Sequence, residues 1–179
     1  MAANGKKLGF GFEKAREGET NDWLTPPEVL KRLGHFDLDP CSCKGMPWRT
    51  ADTMYTLPQN DGLKDPWFGR VFCNPPYGPH VNAWAKRMAE HGNGVMLIFS
   101  RTEVRAWYET IWPFADAILF PHGRMHFYLP NGTRAAAGMA PSSLIAYGQG
   151  NVDSLRSAGI AGALVLKAEI LRGTIASKF

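Results

Sequence analysis

Residues 69–100, GRVFCNPPYGPHVNAWAKRMAEHGNGVMLIFS, decide the fold of this chain. The run RVFC predicts a buried strand, the segment HVNAWAKRMAEHG carries apolar side chains at helical spacing, and GVMLIFS predicts a second buried strand. Continuous apolar strands joined by a helix are typical of parallel strands with a crossover connection. The stretch therefore predicts a strand, helix, strand unit, and Asn74 lies where its first strand ends.

The same alternation continues toward the C-terminus. VRAWYETIWPFA (104–115) predicts a helix, and DAILFP (116–121) predicts a further buried strand. RMHFYL (124–129) and SSLIAYG (142–148) then predict an antiparallel pair at one end of the sheet. The last 29 residues fit either a helix or a short helix followed by a strand. These patterns predict an α/β fold with an abbreviated, mostly parallel sheet and a late antiparallel hairpin.

Upstream of the quoted stretch the predicted elements are shorter. In DWLTPPEVLKRLG (22–34) the prolines suit the first turn of a helix, and Thr25 is positioned to cap it. HFDLD (35–39) predicts a short strand, and TMYTL (53–57) predicts a weak strand within an otherwise irregular stretch. Residues 1–22 are Gly-rich and charged, which predicts a flexible leader.

Composition favours one domain, over residues 23–179, in a chain of 179 residues of which 45% are apolar. No apolar run approaches the roughly 20 residues of a membrane span, and the N-terminus lacks the apolar region of an export signal, so we expect a cytoplasmic protein. Cys41, Cys43 and Cys73 fit no disulfide or zinc spacing, and we expect no metal. A net charge of +4 permits a nucleic-acid partner without demonstrating one.

The tetrapeptide Asn74-Pro75-Pro76-Tyr77 follows a predicted strand at the edge where open α/β sheets bind ligands. Two successive prolines fix φ and stiffen the loop. The Asn74 side-chain oxygen and the Pro75 carbonyl offer two acceptors to an amino group with two hydrogens, and Tyr77 offers a flat face to a base. The tetrapeptide alone also fits an ordinary Pro-rich turn between a strand and a helix.

Five segments, in one order along the chain, carry a family resemblance: DWLTPPEVL, FDLDPCS, NDGL, VFCNPPYG and GRMHF. Together they resemble the amino-methyltransferases, and within them the phage-type, Dam-like DNA N6-adenine methyltransferases. The resemblance, which runs from about Asp22 to Tyr147, implies a Rossmann-like methyltransferase fold and S-adenosylmethionine as cofactor. It also implies direct, in-line transfer of a methyl group to N6 of a flipped-out adenine in DNA, in the host cytoplasm if a bacteriophage encodes the protein.

Residue roles follow from the same resemblance. Thr25 would hold the methionine part of the cofactor, Asp39 would meet its amino group, and Asp61 would accept a hydrogen bond from its adenine. The cofactor-binding positions carried over are Thr25, Asp37, Asp39, Pro40, Cys41, Asp52 (for the ribose) and Asp61, and the catalytic ones are Asn74, Pro75, Pro76 and Tyr77. From the residues alone, Asp37 and Asp39 also fit a helix or turn cap, and Asp61 before Gly62 fits a turn. The glycine-rich DxFxGxG loop of the wider superfamily is replaced here by DPCSCKG.

For the DNA, the resemblance implies that Phe127 lies with Tyr77 against the extruded base and that Arg124 contacts a phosphate. A hairpin core and an exposed charge explain these two residues equally well. Further candidates for phosphate contact are Lys86, Arg87, Arg101, Arg105 and Arg134. Because 179 residues leave no room for a large recognition domain, we expect short or relaxed sequence recognition by a monomer or homodimer.

Two other functions fit the same residues. The loop at Asn74 is also suited to the amino group of an RNA base or to a glutamine side-chain amide of a protein. A non-catalytic nucleic-acid-binding protein that keeps the fold is a third possibility, from a different functional class.

Overall fold

The computed structural model describes residues 22–135 and 140–167. The leader predicted over residues 1–22 lies outside the described residues, apart from Asp22. The helices are α1 (Pro27–Leu33), α2 (Val81–His91), α3 (Trp112–Phe114, which continues a π-helical segment over Trp107–Ile111) and α4 (Gln149–Ser157). The strands are β1 (Leu38–Asp39), β2 (Thr53–Met54), β3 (Val71–Cys73), β4 (Gly94–Phe99), β5 (Ala117–Pro121), β6 (Ser142–Tyr147) and β7 (Gly162–Leu166).

The described strands form one sheet in the order β2-β1-β3-β4-β6-β5-β7. The pairings among β2, β1, β3 and β4 are parallel, whereas those of β4 with β6, β6 with β5 and β5 with β7 are antiparallel. Only β6 and β7 therefore run against the other strands. The predicted strand, helix, strand unit is confirmed as β3, α2 and β4, with Val71 opposite Gly94.

The central strands β3, β4 and β6 are buried on both faces, which is why their residues are mostly apolar. Along β4, Met96 and Ile98 face one hydrophobic cluster, with Trp84 of α2 and Trp107 of the π-helical segment. Val95 and Leu97 face a second cluster, which includes Leu33 of α1 and Leu155 of α4. Each fully buried aliphatic side chain of this kind contributes about 1.5–3 kcal/mol. The two helical layers thus cover opposite faces of the central sheet.

The prediction of a late antiparallel pair is wrong in its partners and its place. Residues 124–129 form no strand, because only Tyr128 makes isolated bridges, to Leu24 and to Arg134. The predicted strand over 142–148 is confirmed as β6, but it lies inside the sheet, where all six of its residues are buried. Tyr128 is paired instead with the segment before α1, far away in sequence.

Two further predictions concern the start of α1 and the C-terminal region. Thr25 does not cap α1, which begins after Pro26 without a side-chain hydrogen bond at its start. The C-terminal region follows the second of its two predicted alternatives, with the short helix α4 followed by β7. Within the described residues no helix is long and apolar enough to cross a membrane.

Candidate active site

The carboxyl ends of β1 and β3 lie side by side, because the two strands are parallel neighbours with Leu38 opposite Val71. The segments that leave these ends come into contact at Cys41 and Cys73, whose sulfur atoms are 3.7 Å apart. Between them opens a cleft whose lining includes Thr25, Asp39 and Asn74. The structure thus brings together residues from three segments that are distant in sequence.

Asn74 is oriented by hydrogen bonds of its side-chain amide nitrogen. Nδ2 donates to the carbonyl oxygen of Trp23 at 2.6 Å and to Oγ1 of Thr25 at 3.1 Å. Since a carbonyl can only accept, the nitrogen must lie on that side and the oxygen on the other. Oδ1 is buried and has no hydrogen-bond partner among the described residues. A buried acceptor without a donor is unfavourable, and the arrangement therefore suits a ligand that brings one.

Tyr77 lies within a small aromatic group. Its ring is stacked on that of Phe99, with centroids 3.8 Å apart and planes 14° apart, and Phe127 meets it edge-on at 6.4 Å. The Tyr77 hydroxyl is buried without a partner among the described residues, and burial raises its pKa. Phe99 covers one face of the ring, so at most the other face is open to a base. In the same loop Pro75 is buried, and Pro76 lines the cleft.

Asp39 is the acid that the structure places in the cleft, and it is 4% exposed. One carboxylate oxygen accepts the Cys41 N–H at 2.9 Å, and the other accepts the hydroxyl of Thr50. Burial disfavours the charged form and raises the pKa of Asp39 to about 6, although the two hydrogen bonds act in the opposite direction. Burial also raises the pKa of the Cys41 thiol. At neutral pH the cleft therefore contains a buried carboxylate, and no cation among the described residues pairs with it.

The other predicted acids lie elsewhere. Asp37 accepts the backbone N–H of Arg70 at 2.6 Å, and Asp52 pairs with His35 at 2.9 Å. Both pairs lie at the amino ends of the strands, so the structure does not bring Asp37 and Asp52 to the cleft. The contact of Asp37 fits the turn or cap role that the residues alone allowed, and Asp52 forms an ion pair at the surface.

Asp61 lies in a turn close to the end of β1 but outside the cleft lining. Its carboxylate accepts the Leu63 N–H at 3.0 Å and pairs with Lys64 at 2.8 Å, which together lower its pKa. The next residue, Gly62, packs against the Pro40 carbonyl so closely that a Cβ there would lie 1.8 Å from the oxygen. Glycine at 62 thus keeps the Asp61 turn in contact with the segment that follows β1.

The residues predicted to contact DNA lie on different elements and differ in exposure. Phe127 is buried and Arg124 is exposed. Lys86 pairs with Glu90 and Arg105 with Glu109, each one helical turn away. These two ion pairs fit surface helices as well as a DNA-binding face.

Sequence reasoning missed Thr50, Trp23 and Phe99. Thr50 lies in the irregular stretch after β1, where no periodic pattern marks it. Trp23 acts through its backbone carbonyl, to which the identity of the side chain gives no clue. Phe99 could have been predicted, because it is the last residue of β4, a parallel neighbour of β3, and so lies at the same edge of the sheet as the Asn74 loop.

Comparison with known proteins gives one match. A family model described as DNA N-6-adenine-methyltransferase (Dam) matches residues 13–154, which is most of the chain. A search of curated proteins found no match, and a search of solved structures found none.

Proposed function

The chain belongs to the DNA N-6-adenine-methyltransferase (Dam) family of S-adenosylmethionine-dependent enzymes, and from this premise we propose that its cleft methylates N6 of a flipped-out adenine in DNA. The observation that supports this proposal best is the buried, unpartnered Oδ1 of Asn74. An acceptor held in that state fits a substrate whose reactive group is a hydrogen-bond donor. The exocyclic amino group of adenine is such a group.

Asn74 and Pro75 act together on the amino group. Its two hydrogens are donated to the Asn74 Oδ1 and the Pro75 carbonyl, which belong to one stiff loop. Polarising both N–H bonds weakens delocalisation of the nitrogen lone pair into the ring and makes that nitrogen more nucleophilic. Because the loop is fixed before substrate arrives, holding the nucleophile in place supplies part of a positioning effect that can reach about 7–11 kcal/mol.

The end of β1 fits the cofactor that the family uses. A carboxylate that is 4% exposed and has a raised pKa is stabilised by a cation, so Asp39 is the residue that would hold the ammonium of the methionine part. Asp61, whose neighbour Gly62 packs against Pro40, would bind the adenine of the cofactor. When bound, S-adenosylmethionine supplies a methyl group that its sulfonium already activates. No strong general base is needed, because the adenine amino group becomes acidic only after it is methylated.

Tyr77 receives the extruded base. A base inside duplex DNA cannot reach this loop, and flipping it out costs a few kcal/mol. Stacking on an aromatic ring returns roughly 1–3 kcal/mol of that cost. Phe99 closes one face of Tyr77, so the base stacks on the other face with Phe127 at the edge of the group. We further propose short or relaxed sequence recognition.

The decisive experiment is methylation with S-adenosylmethionine labelled in its methyl group, offered in parallel to duplex DNA, RNA and a mixture of proteins. We expect label in DNA alone, recovered as N6-methyladenine after digestion to nucleosides. Label only in RNA or protein would show that the acceptor is misassigned. No labelling, together with no heat of S-adenosylmethionine binding in calorimetry, would favour a non-catalytic nucleic-acid-binding protein.

A further inference from the structure

We propose that Thr25 is a positioning residue for Asn74, and this inference rests on the proposed function. The family resemblance implies that Thr25 contacts the methionine part of the cofactor. The structure instead shows its hydroxyl oxygen accepting a hydrogen bond from the Asn74 amide at 3.1 Å. Together with the Trp23 carbonyl, Thr25 thereby holds in place the amide whose oxygen meets the substrate amino group.

The segment that carries Thr25, Trp23–Thr25 (hereafter the strap), is fixed from two sides. Leu24 donates its N–H to the Tyr128 carbonyl at 2.8 Å and accepts the Tyr128 N–H at 3.0 Å. The indole of Trp48 donates to the Thr25 carbonyl at 3.2 Å and lies edge-on to Tyr128 at 5.1 Å. The strap is thus held in place by contacts that do not involve the loop after β3.

The strap offers two acceptors to the amide of Asn74, one for each hydrogen. The Trp23 carbonyl takes one hydrogen and Thr25 Oγ1 takes the other. Turning the amide by half a rotation would place Oδ1 against the Trp23 carbonyl, where two acceptors would face each other. Thr25 is 1% exposed, and a valine of the same shape leaves no space for a water in place of its hydroxyl. Without that hydroxyl one amide hydrogen is buried unpaired, and the amide that carries Oδ1 is held by the Trp23 carbonyl alone.

The test compares Thr25→Val, which removes the acceptor and keeps the shape, with Thr25→Ser, which keeps the acceptor. We expect Thr25→Val to lower the single-turnover methylation rate at saturating S-adenosylmethionine by about 10- to 100-fold. Its calorimetric affinity for S-adenosylmethionine should stay within a few-fold, and Thr25→Ser should recover most of the rate. The matched control is Thr110→Val, at another buried threonine that bonds a helix carbonyl away from the cleft. It should leave the rate unchanged.

Two kinetic outcomes would overturn the inference. A Thr25→Val enzyme with the wild-type rate would show that the hydroxyl does not position Asn74. An unchanged rate at saturation with a large loss of S-adenosylmethionine affinity would return Thr25 to a cofactor role.

A spectroscopic readout separates this inference from the proposed function. In protein labelled with ¹⁵N-asparagine, the Asn74 side-chain NH₂ signals are those that disappear in Asn74→Ala. We expect slow hydrogen exchange of this pair in the free protein and at least about tenfold faster exchange in Thr25→Val, since one of its two bonds is lost. Faster exchange in Thr25→Val, in a protein that does not methylate DNA, would refute the proposed function and still support the contact between Thr25 and Asn74. Equal exchange in the two proteins would refute the contact.

Discussion

The amino ends and the carboxyl ends of β1 and β3 differ in whether their buried polar groups have hydrogen-bond partners. At the amino ends, the guanidinium of Arg70 donates to Asn151 Oδ1 and the His35 carbonyl, each at 2.6 Å, and to the Leu33 carbonyl and Ser154 Oγ. It also lies 4.2 Å above the Phe36 ring. One cation thereby links α1, α4 and the segments that precede β1 and β3, and each nitrogen of its guanidinium has a hydrogen-bond partner.

At the carboxyl ends, beyond the 3 residues of β3, polar groups are left incomplete. Asn74 Oδ1 and the Tyr77 hydroxyl are buried without partners among the described residues, and the pKa of Asp39 is raised by burial. Native proteins rarely leave buried polar groups in this state without a functional reason. The polar groups at the amino ends thus stabilise the fold, whereas our proposal assigns the incomplete groups at the carboxyl ends to a ligand. We therefore expect substitutions at the amino ends to lower stability and substitutions at the carboxyl ends to lower activity.

The largest expected effect is on activity, at the carboxyl ends. Asn74→Ala removes the unpartnered acceptor, and we expect methyl transfer to DNA to fall by about 100- to 1000-fold, as when one preorganised hydrogen-bonding group is lost. We also expect the free energy of unfolding to fall by about 1–3 kcal/mol, since the variant loses the two hydrogen bonds that the Asn74 amide donates to the strap. Labelled methyl transfer measures the rate, urea unfolding measures the stability, and calorimetry measures the affinity for S-adenosylmethionine. A strong loss of S-adenosylmethionine affinity would contradict the role given to Asn74.

The next effect is on stability, at the amino ends. Arg70→Met keeps the apolar length of the side chain but leaves several acceptors without their donor, and we expect a loss of about 2–4 kcal/mol in the free energy of unfolding. The matched control is Arg156→Met, which removes an exposed ion pair with Asp153 and should cost at most about 0.5 kcal/mol. Urea unfolding measures both. Equal stability of the two variants would erase the contrast between the ends of the sheet.

The third effect is a pH dependence that arises from Asp39. Its folded pKa of about 6 lies above the ordinary value of 3.8, so the neutral carboxyl contributes stability that is complete below pH 3.8 and is lost as pH rises through 6. This loss amounts to about 3 kcal/mol, at 1.36 kcal/mol for each unit of pKa. In Asp39→Asn the unfolding free energy should fall correspondingly less between pH 4 and pH 7. Parallel curves for the two proteins would show that Asp39 is not a strained buried acid.

The smallest expected effect distinguishes the role of the Tyr77 hydroxyl from that of the Asn74 oxygen. Tyr77→Phe removes a buried hydroxyl that lacks a partner and keeps the ring that stacks on Phe99. We expect a gain of up to about 1 kcal/mol in the free energy of unfolding and a methylation rate within a few-fold of wild type. A rate loss as large as that of Asn74→Ala would assign the hydroxyl to substrate as well.

Local sequence patterns predicted those parts of the fold that depend on neighbours in the chain. Periodicity found β3, α2, β4 and β5, because each is a continuous apolar or amphipathic run. It could not place β6, since an equally apolar strand fits the edge or the middle of a sheet until its partners are known. It also assigned a strand to residues 124–129, whose only pairings come from isolated contacts of Tyr128.

The candidate site shows the same division. Asp39 and Asn74 were found because each directly follows a buried strand, and parallel strands carry such residues to one edge. Asp37 and Asp52 looked equally suitable by residue type, but the register of β1 and β2 sends them to the amino ends. Contacts such as that between Asn74 and the Trp23 carbonyl join segments 51 positions apart, and no local pattern encodes them.

The insertion of β6 between β4 and β5 has a consequence for the order in which the chain is made. β4 and β5 both leave the ribosome before β6, which pairs with each of them along Leu144. At about 5–20 residues per second, synthesis from Phe99 to Tyr147 takes on the order of seconds. The edge of β4 is open for that whole time and the edge of β5 from Pro121 onward, and such open edges template aggregation. We therefore expect a truncation before β6 to aggregate, because it removes the strand that closes both edges.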